Sequence, residues 1–88
     1  MAAASEHLQK SKELIAAGKL DEALSIYQQT AAKYSDSYSA PLAAEGQARI
    51  LRMQGKIDEA RQAYEMIVSQ YPESFVSRQA HQELQFLR

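Results

Sequence analysis

The chain has 88 residues, enough for one small domain that buries only about 60% of the surface its unfolded form exposes. Ten Lys and Arg face eleven Asp and Glu with no basic block, which removes the field needed to attract nucleic acid or an anionic membrane. There is no cysteine, and no apolar run approaches the roughly 20 residues of a membrane span, so disulfide chemistry and membrane insertion are excluded too. Alanine is abundant and tryptophan and asparagine are absent, a bias toward helices. Met1-Ala2-Ala3-Ala4 is too short for the apolar core of a signal peptide, so the chain reads as soluble, with cytoplasm and bacterial periplasm both compatible.

In chain order, the pattern predicts a first helix over Ser5 to Ala17, ended by Gly18. A second helix carries Leu20, Ala23, Leu24, Tyr27, Ala31 and Tyr34 on one face. A third spans Tyr38 to Gln54, with Pro41 in its first turn, where a missing donor matters least. Gly55 ends it, and a fourth places Ile57, Ala60, Tyr64, Ile67, Val68 and Tyr71 on one face. A fifth runs from Phe75 to Leu87, with Ala80, Leu84 and Leu87 inward and Arg78, Gln79, Gln82, Glu83 and Gln85 covering the outside. Ser5, Ser37 and Ser74 are the expected N-caps. Gly18 and Gly55 are expected in the left-handed region, and the Asp-Glu pairs after them complement the positive end of the next helix.

These elements repeat. Gly18-Lys19-Leu20-Asp21-Glu22-Ala23 recurs as Gly55-Lys56-Ile57-Asp58-Glu59-Ala60, a shift of about 37 residues. The register continues: Tyr27 pairs with Tyr64, Tyr34 with Tyr71, Ser37 with Ser74 and Tyr38 with Phe75. The Gly-x-x-Asp-Glu-Ala turn, the aromatic four residues after that alanine, and Tyr71-Pro72-Glu73-Ser74 resemble the tetratricopeptide-repeat family over nearly the whole chain. The closing motif and the period slightly longer than the usual 34 residues are similar to repeats of bacterial envelope proteins.

The resemblance implies an all-α solenoid: repeat 1 at about 4–36, repeat 2 at about 37–73 and a capping helix at about 74–88, one domain over residues 1–88. The bulky aromatic common early in the family's first helix is replaced by His7, Ala44 and His81, which predicts looser packing there. Gly46, inside the third helix, either permits close helix approach or is simply tolerated.

The spacing favours structural readings over catalytic ones. His7 and His81 hold the same repeat position with Ala44 between them, which places them about 20 Å apart, beyond the reach of one metal. Asp21-Glu22 and Asp58-Glu59 are explained by helix starts, and no phosphate loop, His-x-x-x-His pair or nucleophile elbow occurs. The recurrent tyrosines read as core with hydroxyls at the edge rather than as a ligand cage. No enzyme, cofactor or metal site is expected.

The resemblance implies a function in protein binding, with the first helix of each repeat lining a groove. Its positions fall on Leu8, Lys12 and Ile15, then Glu45, Arg49, Arg52 and Met53, then Gln82 and Phe86. That groove is expected to be basic in the middle and apolar at both ends, suited to a protein or peptide with an acidic group flanked by apolar side chains. Clamping of a peptide's C-terminal carboxylate by paired asparagines and lysines, used by some of these repeats, is not expected without asparagine. Lys12, Arg49 and Arg52 read equally as a solvated face. A different class of function is self-association through the terminal helices, because a solenoid this short leaves outer faces without neighbours and Leu84, Phe86 and Leu87 cannot all point inward.

Overall fold

The computed structural model describes residues 2–34 and 38–87. They form five α-helices: α1 (Ala2–Ala16), α2 (Leu20–Lys33), α3 (Ser39–Met53), α4 (Ile57–Gln70) and α5 (Phe75–Phe86). Each helix packs on its successor, and α3 also reaches α5. The shortest extent of the body is 16 Å, the thickness of two helix layers at ordinary packing distance. The chain is thus an all-α helical repeat of two helix-turn-helix units closed by a fifth helix.

The turns inside the units follow from glycine. Gly18 and Gly55 have φ of 80° and 81°, and each ends its helix with the same bond pair. Gly18 N–H donates to Ile15 C=O and Lys19 N–H to Leu14 C=O; Gly55 N–H donates to Arg52 C=O and Lys56 N–H to Leu51 C=O. These pairs satisfy carbonyls that the helix leaves unpaired, and the left-handed residue at their centre costs glycine least. The two turns are joined by Gln54, whose Nε2 donates to Asp21 Oδ1 at 2.9 Å. Replacing Gly55 by valine should cost about 1–2 kcal/mol from backbone strain alone, because nothing lies within 4 Å of the added Cβ. Thermal melting checks this, and an unchanged midpoint would contradict it.

Helix starts follow the sequence less closely. Ser74 is the expected cap of α5: its backbone is extended and its Oγ accepts from Val76 N–H at 3.2 Å. Ser5 is not a cap, since α1 already begins at Ala2. The three preceding alanines have the highest helix propensity and carry the helix past it. Ser37 lies outside the described residues.

Helix α3 is the spine of the core. Ala43 and Ile50 join Ala23 and Tyr27 in the core of the first unit. Ala48 joins Ala60, Tyr64, Ile67, Val76, Ala80 and Leu87 in the second, with Ala44 and Leu51 packed against it. Ser11 and Ala48 occupy equivalent positions and are both fully buried, where a larger residue would hold the paired helices apart. Ser11 Oγ and Thr30 Oγ1 donate to the carbonyls four residues earlier, so neither buried hydroxyl is orphaned.

Gly46 permits close approach. A Cβ there would overlap the Tyr27 ring, which is 1% exposed. The small residue at Ala44 leaves a surface cavity of about 240 Å³, bordered also by Ala31, Leu51, Ala63 and Met66. Arg61 fastens α5 from α4, donating through Nε and Nη2 to Leu87 C=O at 3.2 and 3.1 Å while pairing with Asp58 at 3.1 Å.

Candidate functional site

The odd-numbered helices carry the candidate site. Leu8 and Lys12 of α1 meet Leu42, Glu45 and Arg49 of α3 around a depression of about 150 Å³ with Tyr27 at its floor. The i, i+4 spacing puts Glu45 and Arg49 on one stripe of α3, and Lys12 of α1 borders the same depression. Their ion pair spans 3.4 Å from Arg49 Nη2 to Glu45 Oε1. One turn on, Arg52 Nη1 lies 3.2 Å from Glu83 Oε2 and ties α3 to α5.

The middle of this surface is therefore less basic than the spacing within α3 predicts, with one cation in excess. Three cations, Lys12, Arg49 and Arg52, face two carboxylates, Glu45 and Glu83. The missing charge is Glu83, which comes from a helix far along the chain and cannot be paired with Arg52 by spacing within α3. A signal was present: Glu83 lies three residues before Phe86 and therefore on the same stripe of α5.

The other expected positions are spread. Ile15 packs partly against the core of the first unit. Met53, Gln82 and Phe86 are exposed, Phe86 at 82%, and none of them borders the depression.

Burial sets the electrostatics. It pushes the Glu45 carboxyl above the ordinary range, and the nearby Glu83 carboxylate adds to this, while Arg49, Arg52 and Lys12 oppose it. Tyr27 is raised by burial and partly lowered again by the Arg49 guanidinium beside it. Tyr64 is pushed up to about 12 by burial and then by the carboxylates of Glu45 and Glu83. Its hydroxyl is buried with no hydrogen-bond partner, as are Nε of Arg49 and Nε of Arg52. The expectation that each tyrosine hydroxyl reaches the edge fails at Tyr64, whose hydroxyl is buried.

A buried hydroxyl without a partner costs about 1–3 kcal/mol, so Tyr64→Phe should leave the neutral-pH melting midpoint unchanged or raise it. The alkaline limb carries a second sign. The unfolded chain loses this phenolic proton near 10 and the folded chain holds it to about 12, so the folded state binds more protons between those values. Stability then falls as pH rises through that window, and Tyr64→Phe should flatten part of the fall in a melting series. An equally steep fall in the variant would contradict this.

Among the described residues no group of three or more His, Asp or Glu side chains could hold a metal ion, and no helix is long and apolar enough to cross a membrane. The depression offers the cationic donors of Lys12 and Arg49, one paired acid in Glu45, and the apolar side chains of Leu8 and Leu42.

A family description, tetratricopeptide repeat, matches residues 8–75. The chain belongs to the tetratricopeptide-repeat family, whose members are typically non-catalytic and generally mediate protein–protein interactions. Comparison with curated proteins and with solved structures found no match.

Proposed function

We propose that the chain binds a segment of a protein partner across the face built by α1, α3 and α5. The observation that carries the reading is the convergence of Leu8, Lys12, Glu45 and Arg49 around one depression, continued to α5 by Arg52 and Glu83. Three cations against two carboxylates leave room for one further negative charge. A partner with an acidic group between apolar side chains matches this surface, charge orienting it and apolar contact holding it. The Arg49→Ala, Arg52→Ala double variant should bind a captured partner more weakly and with less salt dependence, its helix content intact. Wild-type affinity at both low and moderate salt would remove the groove reading.

One observation favours a second reading, self-association through α5. Phe86 is 82% exposed and Phe75 50% exposed, whereas Leu84 and Leu87 pack against the core. Covering one such ring against a second copy would contribute about 1.5–3 kcal/mol. Molar mass by light scattering over a wide concentration range tests it. A dimer that dissociates in Phe86→Ser would support this reading, and a wild type that stays monomeric would refute it.

A further inference from the structure

The arginines that would receive an acidic partner are already engaged. Arg49 meets Glu45 through Nη2 alone at 3.4 Å, and Arg52 meets Glu83 through Nη1 alone at 3.2 Å. Neither contact is the two-point fork that gives guanidinium–carboxylate pairs their strength, and both Nε donors are buried without a partner. The arginine side chains remain 37% and 39% exposed, so both are reachable from solvent, Arg49 at the border of the depression and Arg52 one turn on.

We propose that Glu45 and Glu83 are internal competitors that mask the two arginines, and that a partner's carboxylate binds by taking over those guanidinium donors. The inference rests on the groove reading above and adds its regulation: the strength of binding is set by residues of this chain that repel the ligand. Glu83 holds Arg52 from another helix, so exchange at Arg52 also loosens the tie between α3 and α5. Glu45 holds Arg49 from within α3, and exchange there leaves the helix contacts in place.

Neutralising the competitors raises the local charge without removing any donor to the ligand. Single-contact, partly exposed ion pairs are weak, so each single variant, Glu45→Gln or Glu83→Gln, should tighten binding by about two- to fivefold, and the double variant by about tenfold. The side chains facing Glu45 are Lys12 from α1, Arg49 and Arg52 from α3, and Glu83 from α5, with Tyr27 of α2 and Tyr64 of α4 beside them. Because burial favours the protonated form of Glu45, acidification should tighten binding to the wild type more than to Glu45→Gln for as long as the ligand carboxylate stays ionised.

The probe is the capped peptide acetyl-Leu-Glu-Leu-amide, with its Gln counterpart as control, titrated into the full isotope-labelled chain while the arginine Nε–H resonances are followed. The expected result is saturable shifts at Arg49 and Arg52 with the Glu peptide only, tighter in each Glu→Gln variant, with the pH effect confined to chains that keep Glu45. Equal affinity in wild type and both variants, with shifts that vanish in Arg49→Ala, Arg52→Ala, would overturn the masking and leave the groove reading intact. No shift at either arginine in any variant would overturn both.

Discussion

Gly46→Leu should be among the most damaging single substitutions in this chain, costing about 3 kcal/mol or more. Even the first added carbon overlaps the Tyr27 ring, and that ring is 1% exposed. Gly46→Ala is the sharper test of sign. Helix propensity predicts a gain of about 1 kcal/mol for alanine over glycine, and overpacking predicts a loss of about 1–3 kcal/mol. The enclosure of Tyr27 decides for a net loss. In a domain of this size each kcal/mol moves the melting midpoint by about 4–8 °C, so calorimetry resolves the two signs. A stabilised alanine variant would mean that α2 and α3 do not approach as described.

Ala60→Leu should cost about 2–3 kcal/mol, the upper part of the overpacking range. Ala60 is 0% exposed and sits in the core of the second unit with Ala48, Tyr64 and Ala80. Three elements meet there, since Ala48 belongs to α3, Ala60 and Tyr64 to α4 and Ala80 to α5, and an isobutyl group would have to push at least one pair apart. The check is thermal or urea unfolding beside Ala63→Leu, a substitution at a site that borders the surface cavity and has room to accept volume. Equal losses at the two positions would show that the second core is not closed around Ala60.

Much of the fold was legible because its signals are local and repeated. The two glycine turns, the Asp-Glu pairs after them and the 37-residue register fixed which segments are helices and which faces meet. The start of α1 was not, because alanine propensity extended the helix past the serine that looked like its cap. The reason for Gly46 was not either: spacing shows a glycine inside a helix but not which ring lies over it.

The site was legible by half. Leu8, Lys12, Glu45 and Arg49 come together as the repeat register implies. What escaped is non-local: the Arg52–Glu83 pair, the orphaned Tyr64 hydroxyl, the Gln54–Asp21 link between turns and the Arg61 clamp on Leu87. Each depends on groups brought together from distant parts of the chain, and a periodicity read along one helix carries no information about what arrives from another.

The most direct test of the proposed function is backbone amide shift mapping of the labelled chain with a captured partner. The account predicts that the largest changes cluster on Leu8, Lys12, Glu45, Arg49, Arg52 and Glu83, along α1, α3 and α5. Changes concentrated instead on the exposed residues of α2 and α4, such as Gln28, Gln29, Gln62 and Glu65, would contradict it.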